Sequence, residues 1–264
     1  MIAMENQRVS TMLNKVPEIT ISFWIIKAMA VTVGETAADF LNTNLGFGLT
    51  VTSWIMSAFL AVALIVQFAR KKYVPSIYWI SVVLISVVGT LTTDNLVDNL
   101  GISLKATTLF FGMALLVTFA VWYAVERTLS IHTIYTTRRE AFYWLAILLT
   151  FALGTAGGDL TAEGLGLGYA QAGLIFGALI AVAAFAYYFL KMDAVLSFWL
   201  AYILTRPLGA SFGDLLSQPL DKGGLGLGAT LTSVIFFVCI FGLIVFMTIR
   251  HGNRGLSYKA SGQS

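Results

Sequence analysis

Apolar residues run along the chain in windows at about 20–40, 51–69, 77–96, 106–124, 141–160, 170–190, 195–214 and 230–249, with short polar stretches between them. Each window approaches the ~20 residues that a helix needs to cross a bilayer core. The pattern predicts an all-α integral membrane protein with eight transmembrane helices in a single membrane domain over 1–264. Composition supports this: 58% of the 264 residues are hydrophobic and 11% are charged, whereas a soluble domain carries about a quarter charged residues. No room remains for a sizeable soluble domain. With 24 Gly and 4 Pro among long apolar runs, the chain is neither collagen-like nor disordered.

Charge placement predicts orientation. Lys and Arg collect before the first window (Arg8, Lys15) and after the second (Arg70, Lys71, Lys72), fourth (Arg127, Arg138, Arg139), sixth (Lys191) and eighth (Arg250, Arg254, Lys259). The opposite loops hold Lys105 and Lys222. The positive-inside rule then puts both termini in the cytoplasm. The first stretch lacks the order of regions that marks a signal peptide, and 252–264 reads as a disordered cytoplasmic tail. A net charge of +3 spread in this way forms no basic patch for nucleic acid. Membrane lipid is the expected surrounding. The single Cys239, set in an apolar run, excludes a disulfide framework and thiol chemistry.

Self-similarity changes the picture further. An aromatic pair recurs as Phe23-Trp24, Tyr78-Trp79, Tyr143-Trp144 and Phe198-Trp199. Ten residues after each Trp stands a glycine (Gly34, Gly89, Gly154, Gly209), and five residues later an aspartate (Asp39, Asp94, Asp159, Asp214). A Leu-Gly pair follows (Leu45-Gly46, Leu100-Gly101, Leu165-Gly166, Leu225-Gly226), delayed in the last copy by a five-residue insertion around Gln218 to Lys222. The chain is thus four parallel two-helix repeats, at 20–70, 75–125, 140–190 and 195–250. These units, with Lys15-Val16-Pro17-Glu18-Ile19-Thr20, Gly34-Glu35-Thr36-Ala37-Ala38-Asp39 and Thr205-Arg206-Pro207-Leu208-Gly209-Ala210-Ser211, resemble a bacterial membrane-anchored family of four tandem two-span repeats, each with one Trp. The resemblance covers Trp24 to about Phe241. It implies topology and location and transfers no reaction.

Asp lies fifteen residues beyond Trp, about 22 Å along a helix and short of the ~30 Å hydrocarbon thickness. The carboxylates are therefore expected at membrane depth in the outer half. An ionisable side chain there is costly unless it meets protein, water or a partner. Four in register point to an axial cluster, and possible metal ligands are Asp39, Asp94, Asp159 and Asp214. The competing reading makes each aspartate the N-cap of a short re-entrant helix. Repeats one and four add Lys27, Arg206 and a fifth acid, Glu35. The two bases are expected to pair with acids of neighbouring repeats, either as structural ion pairs or as pairs released on cation binding. Pro207 predicts a kink in the seventh helix.

Asp98 and Glu163 stand four residues beyond their aspartates, either as solvated interfacial carboxylates or as an outer vestibule attracting cations. Trp24, Trp79, Trp144 and Trp199 are expected to form an interfacial belt. Gly-Leu-Gly runs at Gly164 to Gly168 and Gly224 to Gly228 read as tight turns and close packing, without the setting of a nucleotide loop. His132 and His251 lie far from the aspartates, and neither zinc nor serine-hydrolase signatures occur. Gly158-Asp159 and Gly213-Asp214 resemble an intramembrane aspartyl protease only faintly, because Ala156 and Ser211 replace its upstream glycine. The chain reads as a non-enzyme without cofactor, a bacterial inner-membrane secondary transporter of a small cation. Hard oxygen ligands favour a divalent metal such as Mn, an alkali ion or a proton as substrate. The alternative is a structural or regulatory membrane subunit.

Overall fold

The computed structural model describes residues 14–261, with side chains described as far as 246 and at 249. Arg8, the stretch read for a signal peptide up to residue 13, and residues 262–264 lie outside the described residues. The described chain is all helical, and eight of its helices are long and apolar enough to cross a membrane. The protein is a multi-pass membrane protein. The helices are α1 Ile21–Asp39, α2 Leu49–Ala69, α3 Pro75–Asp94, α4 Leu104–Glu126, α5 Thr137–Asp159, α6 Tyr169–Phe189, α7 Ala194–Ser217 and α8 Gly228–Ser261. The tail read at 252–264 begins inside α8.

The odd helices form a closed inner ring, with α1 against α3, α3 against α5, α5 against α7 and α7 against α1. The even helices lie outside. Each packs mainly on the inner helix of the following repeat, α2 on α3, α4 on α5, α6 on α7, and α8 back on α1, with α8 alone also touching its own α7 through Phe212 and Phe236. The four units are therefore interlocked around a pseudo-four-fold axis, as parallel repeats related by an axis along the membrane normal. Outer helices expose Trp54, Phe59, Leu116, Leu174, Phe189 and Phe237, the face expected toward lipid.

The repeat glycine explains how the inner ring closes. A Cβ on Gly34 would lie 1.8 Å from the Ser86 hydroxyl, and one on Gly89 would lie 2.8 Å from Phe151 Cβ. On Gly154 it would lie 2.1 Å from Arg206 Cγ, and on Gly209 2.5 Å from Val31 Cγ1. The four partners are again equivalent, each seven residues after its Trp. Every inner helix thus presses its glycine onto the same position of the next, and no larger residue fits.

Both ends of the ring follow from local sequence. At the end bearing residues 14–20, here the terminal face, Thr20 and Thr136 accept from the N–H groups of Phe23 and Arg139, both at 3.3 Å. Asp193 accepts from Val195 and Leu196 at 3.0 Å, and α3 starts on Pro75. These caps satisfy amides that a helix start leaves free. At the opposite end, the loop face, the glycine of each Leu-Gly pair turns the chain with φ between 67° and 73°, a conformation that glycine adopts without steric cost.

Candidate functional site

Just before the loop face, the first three inner helices change hydrogen-bond register. Immediately after Asp39, Asp94 and Asp159 come π-helical turns at Phe40–Asn44, Asn95–Asn99 and Leu160–Gly164. Such turns are rare and concentrate at functional sites. The backbone stays right-handed helical at each aspartate, and its side chain caps nothing. The N-cap reading is thereby overturned, because the helix continues through the residue instead of starting there. In the fourth copy α7 stays α-helical past Asp214 to Ser217, and the insertion forms a short 3-10 turn at Leu220–Lys222.

The four carboxylates share one electrostatic environment. Asp39 interacts with Glu35 and Glu163, and Asp94 with Glu35, Asp39 and Asp98. Asp159 interacts with Glu35, Asp94 and Glu163, and Asp214 with Glu35, Asp159 and Asp39. Glu35 is common to all. Among the described residues none of the four accepts a hydrogen bond from protein, and even the buried Asp214 lacks a donor. Nor do any three His, Cys, Asp or Glu among the described residues cluster tightly enough to hold a metal ion. The arrangement is an acidic layer across the ring, called the chamber below, and not a preassembled metal centre. Asp98 is exposed, Glu163 is exposed and accepts from the Tyr169 hydroxyl at 2.9 Å, and Lys222 of the insertion lies within range of Asp39. Together they make the chamber's rim.

The chamber floor is a polar layer built from one register position. Eleven residues after each Trp stand Glu35, Thr90, Thr155 and Ala210. Arg206, which is fully buried, reaches from α7 across this layer. Its Nη1 lies 2.9 Å from Glu35 Oε2, and its Nη2 donates to Thr155 Oγ1 at 2.7 Å and to Thr90 Oγ1. Thr90 in turn donates to Glu35 Oε2 at 3.1 Å. One side chain thus ties α7 to α1, α3 and α5, as expected of a base pairing with an acid of a neighbouring repeat. Sequence reasoning missed Thr90 and Thr155, although their offset from Trp equals that of Glu35.

Lys27 corrects the second half of that expectation. It is fully buried, and among the described residues no carboxylate lies within ion-pair distance. Its ammonium donates to the Tyr202 carbonyl at 2.8 Å and sits 4.0 Å above the Tyr202 ring and 5.7 Å from that of Phe151. Lys27 lies two turns below Glu35 on α1, facing the terminal end, so the chamber acids are beyond its reach. Tyr202 occupies the equivalent register in α7, three residues after its Trp.

The tryptophans do not form a lipid-facing belt. Trp79, Trp144 and Trp199 are buried and Trp24 is half-buried. They pack in tilted and edge-to-face contacts with Phe23, Tyr78, Tyr143 and Phe198 into a plug that fills the inner ring toward the terminal face. Their position on ring-facing helices, with the outer helices covering them, decides this over any interfacial preference. Beneath the plug, Lys15 donates to Glu140 at 2.6 Å and to the Phe68 carbonyl at 3.1 Å, and Gln67 donates to the other Glu140 oxygen at 3.0 Å. Lys15, read from the sequence for orientation and as the start of a distinctive stretch but not for a contact, is a buried latch.

Against known proteins, residues 22–73, 77–128, 142–193 and 197–253 each match the family described as Repeat of Unknown Function (DUF347). No curated protein and no solved structure matches the chain. The chain, with its four interlocked copies, belongs to the DUF347 repeat family.

Proposed function

We propose that the protein is a secondary carrier of a small cation in the bacterial inner membrane, with both chain ends cytoplasmic and the acidic chamber opening outward. The observation that carries this reading is that Asp39, Asp94, Asp159 and Asp214 stand at one register of the four ring helices, electrostatically linked to Glu35, with no hydrogen-bond donor to any of the four among the described residues. Carboxylates at membrane depth that have no protein partner need water or a cation. Because no ligand cluster for a dehydrated metal occurs among the described residues, the substrate fits best as an ion that keeps part of its hydration, such as an alkali ion or a hydrated divalent metal. At the far end the aromatic plug and the Lys15 latch close the axis. In this reading the cation loads from the loop face, and transport requires that Arg206 let go of Glu35 as a cation takes its place.

The test uses the four aspartates, because Glu35 also holds Arg206. Asp→Asn at each position removes charge while keeping shape. Flux of Mn2+ and K+ into proteoliposomes should fall at several of the four positions, with normal protein yield, and unchanged flux in all four variants would remove the support for this function. Orientation is checked separately by a cysteine at Lys222, which an impermeant maleimide should label from outside the cell. Labelling only from the cytoplasm would invert the carrier.

A further inference from the structure

One seam of the inner ring is left open on its outer side. Between α1, α6 and α7, in the half of the bundle next to the terminal face, lies a groove of about 930 Å³, near the upper end of the ~300–1,000 Å³ typical of ligand sites. Its cause is legible in the repeat. Sixteen residues beyond Gly48, Ser103, Gly168 and Gly228, the outer helices carry Leu64, Phe119, Ala184 and Ile244. Leu64, Phe119 and Ile244 pack against the central core. The Phe119 ring lies 4.8 Å from that of Trp199, with Trp122 at 5.9 Å. In α6 the same two positions are Ala184 and Tyr187, and both line the groove instead. Trp24 lines it from α1 and is the half-buried member of the four repeat tryptophans. The space is thus the one that a large side chain fills in the other copies.

The groove is graded along the membrane normal. Ala28, Ala201 and Leu208 line its deep end, whereas Glu18, Thr20, Ser130 and His132 line its mouth at the terminal rim. An occupant that satisfies both ends has an apolar tail and a polar head. The mouth also sorts charge. Glu18 is exposed, and among the described residues no base lies within ion-pair distance of it. With the rings of Trp24 and Tyr187 lining the same groove, it suits an ammonium. The hydroxyls of Thr20 and Ser130 each accept a backbone amide at 3.3 Å, from Phe23 and His132, and among the described residues neither has an acceptor for its own proton. Together with the exposed His132 ring they suit a phosphate. We propose that the groove holds one glycerophospholipid with an ammonium head. An acyl chain lies along Ala28, Ala201 and Leu208 in the space that Ala184 leaves, the phosphate sits at Thr20, Ser130 and His132, and the ammonium sits at Glu18. The lipid braces the seam between α1 and α7, the two helices that Arg206 and Glu35 join. Nothing in this assignment depends on the cation reading.

Full-length protein in a mild detergent is given dioleoyl phosphatidylethanolamine or dioleoyl phosphatidylglycerol, which share acyl chains and phosphate and differ in the ammonium. Native mass spectrometry counts the lipids that stay bound, and the melting temperature is followed in parallel. Wild type should retain a single phosphatidylethanolamine per chain, several-fold in preference to phosphatidylglycerol, and should melt higher with it, as a ligand of the folded state requires. Ala184→Phe restores the ring that α4 carries at this register. It should lower retention of both lipids several-fold and abolish the rise in melting temperature. Glu18→Gln should erase the preference between the two heads while leaving retention through the tail. Val182→Phe, on the lipid-facing side of α6 and outside the groove, should behave as wild type. If Ala184→Phe elutes as an aggregate, Ala184→Leu, matching Leu64, takes its place. Equal retention of the two lipids by wild type reports annular lipid only and overturns the inference. So does retention that Ala184→Phe leaves unchanged, or a wild type that holds neither lipid. A dimer that Ala184→Phe dissolves gives the groove to a second copy of the chain and overturns it as well.

Discussion

Arg206 is held by one carboxylate and two hydroxyls inside a ring of four helices, so its partners matter more for the fold than their exposure to ligand implies. Glu35→Gln leaves a buried guanidinium without its counter-charge, and breaking such a pair from one side costs about 3–5 kcal/mol. The paired change Glu35→Gln with Arg206→Met removes both charges and should recover much of that loss. Unfolding in detergent measures both, and equal destabilisation of the two proteins would show that the ion pair does not hold the ring. The repeat glycine makes a second residue-scale prediction. Gly154→Ala drives a methyl into the stem of Arg206, whose Cβ and Cγ are anchored close to the backbone and cannot swing away. A loss of about 1–3 kcal/mol is expected. Gly157→Ala is the control, since its Cβ would meet only Thr108 Cγ2, at 4.0 Å. If the two variants unfold alike, the close approach at Gly154 is not what sets the helix spacing.

At the scale of elements, the inner helices are legible because their constraints repeat. Gly34, Gly89, Gly154 and Gly209 recur at one offset since each makes the same contact, and the aspartates recur because each precedes the same end of its helix. Apolar windows placed the spans to within a few residues for a similar reason: a helix crossing lipid must be continuous and apolar. Three features escaped because they depend on which helix stands beside which. Trp79, Trp144 and Trp199 are buried by neighbours that the sequence does not place beside them, as Trp199 is by Phe119 and Trp122 of α4, an outer helix two repeats away. Lys27 lacks an acid because its rotation on α1 turns it toward Tyr202. The π-helical turns need one extra residue per turn, and no composition marks that. The latch below the plug was equally hidden, although Lys15 stands in a motif already noted as distinctive. It bridges the segment before α1 to α5, more than a hundred residues away, with Gln67 holding the second carboxylate oxygen. Lys15→Ala and Glu140→Ala should each destabilise, and a double-mutant cycle should return a coupling of about 1–3 kcal/mol, typical of residues in one buried network. Additive losses would mean that the segment is seated by Val16 and the backbone alone, through Lys15 N–H to Ile134 O at 2.9 Å.

For the molecule as a whole, the interlocked order has a consequence that a string of self-contained hairpins would not have. Because every outer helix buttresses the next repeat, the first inner helix has no cover until the last helix is made, and the ring stays open until α8 reaches α1. The same order permits a swapped dimer, in which α8 of one chain covers α1 of another at little cost, as happens when an identical element is exchanged between copies. The contact that distinguishes the two is specific: the Ser233 hydroxyl of α8 donates to the Thr36 hydroxyl of α1 at 2.7 Å. Two cysteines at these positions bring their Sγ atoms near the spacing that a disulfide requires. In a chain whose native Cys239 is first changed to Ser, Thr36→Cys with Ser233→Cys should therefore cross-link under mild oxidation within one polypeptide. With a protease site placed in the connection at 190–193, the two halves should stay joined after cleavage until a reductant is added. The single-cysteine chains should fall apart on cleavage in either condition. A cross-linked band at twice the monomer mass would mean that α8 closes the ring of a neighbour. No cross-link at all would mean that α1 and α8 do not meet, and the closed inner ring, with the shared chamber built on it, would have to be abandoned.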